Sequence, residues 1–474
     1  MEERSKYLFK NTSIFAIGSL GTKLIGFVLV PFYTHILSTE QYGTVDLLFT
    51  IATIVVPLIM FNLGEAIMRF ALDDDADQKK LFSVAEVCIL FGIIISLLVI
   101  PIVSLFSIIK EFRVYLYFYI VLYAIKEILN GFLRGWEKLK LYVSNNILYS
   151  LSVALLNILF LAVLHMGIKG YLLAYIISEG ICVCFAFFAG RMYYYLGTFI
   201  LDWKVFRAMI RFSLAVIPNT LLWWVINSSD RVMVTAMCGT SENGLLAVGY
   251  KFPSILTVLN TVLMQAWKYS AIREKDSADR NQYANAMMER FLKISILVSG
   301  TLIVTLKPLS KVLFADEFFL SWKSGVILLA GFVFMGVGTF LGTVYYVEKN
   351  MLGNMFSALF GAIINVVLNW ALIPFMGAAG ATLAATVAYF SIMIFRHIDT
   401  KKYQSIQLFR WDYLVLFLLL ITMTIGQFIE TKVGIIVSFA GYAVMTILCY
   451  RFIGEMIKTG WKIINRRHTH EDGM

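Results

Sequence analysis

The stretch Thr34-His-Ile-Leu-Ser-Thr-Glu-Gln-Tyr-Gly43 has a counterpart later in the chain, Thr235-Ala-Met-Cys-Gly-Thr-Ser-Glu-Asn-Gly244. Thr34, Thr39 and Gly43 match Thr235, Thr240 and Gly244 at constant spacing. A second pair repeats in the same order: Met166-Gly-Ile-Lys-Gly-Tyr-Leu-Leu-Ala174 and Met376-Gly-Ala-Ala-Gly-Ala-Thr-Leu-Ala384. Upstream of each lies a Glu-Lys dipeptide, Glu137-Lys138 and Glu348-Lys349, at nearly the same distance. One short match in a sequence of low diversity arises easily by chance. Two in the same order point to a duplicated chain, an organisation common among membrane transporters.

The setting of the repeats is a membrane. The chain has 474 residues, 59% of them hydrophobic and only 15% charged, with a mean hydropathy of +0.79, which excludes an ordinary soluble fold. Apolar stretches long enough to cross a bilayer, roughly 20 residues each, fill most of its length; about fourteen are expected, among them 11–36, 44–67, 206–237, 244–267, 350–375 and 378–396. The expected fold is therefore all-α and integral to the membrane. Six spans separate the repeated motifs, so both copies keep the same orientation and the repeat is parallel. This divides the chain into an N-terminal lobe of helices 1–6 (1–200), a C-terminal lobe of helices 7–12 (201–400), and helices 13–14 with a tail (401–474). Arg4, Lys6 and Lys10 precede the first run and give it the look of a secretory signal. The run is too long for a signal core and no small-residue cleavage site follows it, so it reads as a retained helix.

A formal net charge of +10 invites a nucleic-acid reading, but the placement of the cations excludes it. Clusters such as Arg134, Lys138 and Lys140, or Arg273, Lys275 and Arg280, fall in alternate loops, as the positive-inside rule requires of a protein with both termini in the cytoplasm. The five cysteines are scattered without metal-ligand or redox spacing, and no metal centre is expected.

Against this apolar background, charges inside the spans carry the functional signal. Lys23 sits deep in the first run, where an unassisted lysine costs about 2.5–3.5 kcal/mol; it either lines a hydrophilic cavity or pairs with a glutamate. The seventh span carries Asn219, Trp223, Asn227 and then Asp230 or Arg231 at spacings of three or four, which places amide, indole and charge on one helical face. Such a stripe suits a sugar or head group, or else forms an interhelical seam in which Asp230 neutralises Arg231 or Lys251. Lys251 lies at similar depth in Gly249-Tyr-Lys-Phe-Pro253, where Pro253 is expected to loosen the helix. Lys23, Arg231 and Lys251 together favour an anionic, phosphate-bearing substrate. Glu86, Lys126, Glu127 and Glu179 are candidates for ion coupling, since a buried carboxylate can take up a proton or ligate sodium. Lys126 and Glu127 are adjacent and point about 100° apart, so they cannot simply neutralise each other. Asn354, Ser357, Gly361 and Asn365 follow one face of the eleventh span, and Asn146, Ser150 and Asn157 one face of the fifth; interhelical hydrogen bonds are expected of both sets. Glycines of the tenth span, Gly331, Gly336, Gly338 and Gly342, suit close packing or bending.

Phe9-Lys-Asn-Thr12, the stretch from Val30-Pro-Phe-Tyr through Gly43, Asn227-Ser-Ser-Asp-Arg231 and Gly249-Tyr-Lys-Phe-Pro253 resemble the oligosaccharide (Wzx-type) flippases. These share the MOP superfamily with the lipid II flippases and the MATE exporters. The resemblance implies that undecaprenyl-diphosphate-linked oligosaccharide units are moved across the cytoplasmic membrane by alternating access, for surface polysaccharide synthesis. It also implies that Lys23 and Lys251 are basic cavity residues, and that a polysaccharide polymerase and chain-length machinery are partners. No Gly-rich phosphate loop for ATP occurs, so no cofactor is expected and a membrane potential or a gradient of H+ or Na+ would supply the energy. The alternatives are a lipid II-type flippase, a MATE-like ion-coupled exporter and, from another class, a membrane glycan polymerase or ligase, which usually needs a sizeable outer loop.

Overall fold

The computed structural model describes residues 21–73, 76–103, 107–196, 200–455 and 458, and these form helices and no strands. The Phe9-Lys-Asn-Thr12 motif, Arg4, Lys6 and Lys10, and most of the basic tail lie outside the described residues. Helix α1 is described over 21–36. It is followed by α2 (Thr39–Ile59), α3 (Leu63–Ala71), α4 (Gln78–Val103), α5 (Ser107–Gly135), α6 (Leu139–Asn157) and α7 (Gly167–Ala189). The second half of the chain folds as α8 (Trp203–Cys238), α9 (Thr240–Gly249), α10 (Ser254–Arg273), α11 (Arg280–Leu313), α12 (Ser321–Val347) and α13 (Met351–Thr400), with α14 (Trp411–Phe428) and α15 (Lys432–Leu448) after it.

Among the described residues, ten helices are long and apolar enough to cross a bilayer, and α9 with α10, bent by 46°, makes an eleventh. Helix α13 is two spans. Its 50 residues would run to about 75 Å if straight, more than twice the hydrocarbon thickness. It folds back at Gly377, whose φ of 54° and ψ of −133° only glycine adopts without strain. Residues equidistant from the turn then meet: Arg396 Nε donates to Ser357 Oγ at 2.9 Å, and Arg396 also reaches Asn354 Oδ1 at 2.8 Å. With α15 and α1 added, the described spans are in keeping with the expected fourteen.

Two expected spans are broken rather than continuous. In the second, the backbone leaves the helix at Phe61 and Asn62, with φ of 51° and 52°, just after Pro57. The Asn62 N–H bonds to the Pro57 carbonyl at 2.8 Å, a wide turn that ends α2 before α3 begins. In the eighth, Pro253 has no N–H to continue the ladder from α9, and α10 starts at a new angle. Helix α12, by contrast, is unbroken and almost wholly buried. Its glycines serve close packing rather than bending.

The repeated motifs fold alike. Gly167 and Gly377 both take a positive φ, 56° and 54°, at the turns joining α6 to α7 and the two arms of α13. Glu137 and Lys349, in the paired Glu-Lys dipeptides, also lie in the left-handed region. Large exposed side chains such as Val312, Trp370 and Phe375 form the lipid-facing surface of the spans, where small buried residues inside allow helices to approach.

Candidate functional site

The two halves meet most closely where the first repeat predicts a correspondence. Helix α2 packs its first turns against those of α9, and the contact is reciprocal. A Cβ on Gly43 would overlap the Thr240 carbonyl and the Gly244 nitrogen; one on Gly244 would overlap the Thr39 carbonyl. Thr39 Oγ1 and Ser241 Oγ lie 2.7 Å apart, and Asn243 donates to the Gly43 carbonyl at 2.8 Å. One turn further along, Arg231 of α8 reaches Asp46 of α2 at 3.2 Å and stands 5.0 Å from the centre of the Tyr250 ring. These contacts form a closed belt at one end of the bundle.

Below the belt lies a cavity of about 140 Å³, walled by α1, α2, α6 and α7 and entered from the second half by Lys251. The first half lines it with tyrosines. Tyr33 packs edge-on to Tyr171 at 4.9 Å, Tyr171 stacks on Tyr175 at 5.0 Å, and their hydroxyls are 3.1 Å apart. Among the described residues no carboxylate comes within ion-pair distance of the Lys251 ammonium. A cation facing phenol hydroxyls and ring faces can hold a phosphate and stack a sugar.

Lys23 is placed elsewhere. It stands on the opposite face of α1, at a largely apolar cavity of about 350 Å³ shared with Phe27 and with Ser254, Val258 and Leu259 of α10. It has no acidic partner among the described residues. Lys23 and Lys251 thus flank α1 without sharing one space, and Arg231 is held in the belt by Asp46.

The α8 stripe divides in the same way. Asp230 is buried and accepts the Tyr250 hydroxyl, facing its own half. Asn227 accepts from Tyr389 at 2.8 Å, and Trp223 lies 6.0 Å from the guanidinium of Arg396. These three make an interhelical seam. Asn219 is partly buried near the level of Thr220, which accepts from Asn62 of the first half at 3.3 Å. The indole that spans the halves is Trp224, whose Nε1 donates to Thr53 Oγ1 at 3.1 Å.

Of the ion-coupling candidates, Lys126 and Glu179 form a buried ion pair at 2.8 Å, with side chains 8% and 0% exposed, and Lys126 also sits over Tyr149 at 4.1 Å. Neither is free. Glu127 lines a polar cavity of about 120 Å³ at the α2/α3 break, together with Asn62 and Glu65, whose carboxylate is held by Arg134 at 3.1 Å. Glu86 is partly buried on α4. Asn354 and Ser357 of the expected hydrogen-bonding face hold Arg396, and Asn365 accepts from Asn369 at 3.0 Å.

Three features escaped the sequence reading. Asp46 is an acid inside a span, three residues beyond a repeat glycine, and that position is the signal that marks it. Arg396 looks like a loop cation but is buried among neutral acceptors, the Gly338 carbonyl included at 2.9 Å. The tyrosine wall is announced only by Tyr171 and Tyr175 one helical turn apart.

Comparison with known proteins places this architecture. The family model described as polysaccharide biosynthesis protein matches residues 8–267. No curated protein sequence matches the chain. Among solved structures, the lipid II flippase MurJ in an inward closed conformation is similar with a TM-score of 0.68 and 14% identity, covering 93% of this chain and 99% of that one. An inward-facing multidrug resistance MATE family transporter of the MOP superfamily follows at 0.64 and 14%, covering 82% and 97%. A Pyrococcus furiosus MOP superfamily transporter, described as having a binding pocket of reverse polarity, has a TM-score of 0.58 and 13% identity over 83% and 95%. The fold is therefore that of MOP transporters. With more than half its length matched, the chain belongs to the polysaccharide biosynthesis protein family.

Proposed function

We propose that this protein flips undecaprenyl-diphosphate-linked oligosaccharide units across the bacterial cytoplasmic membrane by alternating access. Both termini lie in the cytoplasm in this reading, which puts the Gly43–Gly244 belt on the outer side. The observation that carries it is the Lys251 ammonium, unopposed by any described carboxylate and facing a wall of tyrosines between the two halves. Phosphate oxygens replace the missing counter-charge, and the aromatic wall receives the sugar. Helices 1–6 and 7–12 act as the two lobes. Lys23 serves where α1 meets α10, and Arg231 serves the outer belt. Glu127, left without a described basic partner beside a helix break, is the coupling residue for H+ or Na+, while Glu179 stays neutralised by Lys126.

The test is complementation of a flippase-deficient strain. Lys251→Ala loses at least about tenfold in glycan export, as expected for removing a charge-assisted contact, and Lys251→Arg retains most of it. Full activity of Lys251→Ala contradicts the site. An exporter of cationic drugs would respond oppositely, because removing a cavity cation favours a cationic substrate.

A further inference from the structure

A further cavity, about 520 Å³, lies away from the seam between the halves, along the two arms of α13. Its walls are apolar: Leu352, Phe356, Phe360 and Ile363 from the first arm and Phe395 from the second. Leu352, Phe356 and Ile363 are more than half exposed, so this face is turned to the surroundings of the protein. The polar lining is confined to one end, where the first arm starts at Asn350 and the second finishes at Asp399 and Lys402.

The dimensions match one lipid. From Asn350 to Ile363 the helix rises about 20 Å, against about 15 Å for one leaflet of hydrocarbon. The charged end thus falls at the head-group level and the aromatic wall runs through a leaflet. The charges are specific as well. Lys402 Nζ lies 2.8 Å from one Asp399 oxygen, and the other accepts the Tyr345 hydroxyl at 2.8 Å. Tyr345 is fully buried on α12 and holds Asp399 in place. Lys402 is 55% exposed, so its ammonium can turn to a ligand.

We propose that this groove binds one phospholipid whose head group carries a phosphate and a primary ammonium, of the ethanolamine type. Its phosphate meets Lys402, its ammonium meets Asp399, and one acyl chain lies along Phe356, Phe360 and Ile363. A head group with a phosphate and no amine gains Lys402 but faces the Asp399 carboxylate uncompensated, so the lining discriminates by charge pattern. The assignment is independent of the transported substrate.

Native mass spectrometry of the full-length protein, offered equal amounts of phosphatidylethanolamine and phosphatidylglycerol, tests it. The wild type retains phosphatidylethanolamine preferentially. Lys402→Gln lowers its occupancy about fivefold, the scale of a partly exposed ion pair, whereas Lys401→Gln, outside the lining, leaves it unchanged. Ile363→Trp fills the groove from a lipid-facing position and also lowers occupancy, and it carries the test if the charge variant folds poorly. Equal retention of the two lipids by the wild type, or equal losses from Lys401→Gln and Lys402→Gln, overturns the proposal.

Discussion

Gly43 and Gly244 stand where even a methyl group would occupy the backbone of the opposite half. The close approach lets Thr39 and Ser241 share a hydrogen bond and brings Asp46 within reach of Arg231. Gly43→Ala therefore forces α2 and α9 apart, at a cost on the scale of overpacking, about 1–3 kcal/mol. That cost falls on the closed belt and not on folding within either half. Cysteine labelling of positions beneath the belt is expected to speed up in Gly43→Ala while thermal stability changes little; unaltered labelling would show that the glycines are not a closure. At this scale the sequence was partly legible. The repeat singled out Thr39, Gly43, Thr240 and Gly244 by spacing, although nothing in spacing says that the two copies touch. The intramembrane cations were also visible, but which face of α1 carries Lys23, and that Arg231 is already engaged by Asp46, depend on helix rotation. Neighbouring residues on a helix differ by about 100° in direction, so a small error in phase moves a side chain from one cavity to another.

The turns and breaks set what each element can do. Gly377 has a positive φ, and the Glu242 carboxylate occupies the space beside it while accepting the Ala378 N–H at 2.9 Å. Gly167, its repeat counterpart, has the same backbone sign but open space around it. Alanine at either position takes on positive-φ strain of about 1–3 kcal/mol, and Gly377→Ala bears more, because its ψ of −133° suits only glycine and its new Cβ would clash with Glu242. Differential scanning of the two purified variants should show the larger loss in Gly377→Ala; equal losses would mean that the Glu242 contact contributes nothing. Both turns were marked in advance by the repeated Met-Gly-x-x-Gly. The break at Phe61 and Asn62 was not, because hydropathy reads straight through it and Pro57 lies within α2 without ending it. Pro253, by contrast, announced the bend between α9 and α10, since a proline after a short apolar run is a helix start as readily as a kink.

Across the whole molecule, contacts between the halves recur at the end opposite the glycine belt. Asn62 donates to Thr220 at 3.3 Å, Phe70 meets Phe212 edge-on at 6.0 Å, and Lys80 bonds Asp202, the N-cap of α8, at 2.9 Å. Alternating access requires these two belts to open in turn around the Lys251 cavity. Asp202 lies outside the spans, and its carboxyl is held below the usual carboxylate range by the Lys80 hydrogen bond first and by the Lys204 N–H second. A depressed carboxyl contributes its tie above its free pKa and loses it as pH falls through the lowered value. Spin-label distances across this end should therefore stay constant from neutral pH down through the ordinary Asp range and lengthen only below it, whereas Asp202→Asn lengthens them at neutral pH. Distances that respond near neutral pH in the wild type would assign the opening to another group.

The alternation itself is tested most directly by locking the glycine belt. In a background without the five native cysteines, Thr39→Cys with Ser241→Cys places two thiols where the native hydroxyls lie 2.7 Å apart. Oxidation is expected to abolish glycan export in vesicles, and reduction to restore it. Undiminished export by the fully cross-linked protein would contradict the account.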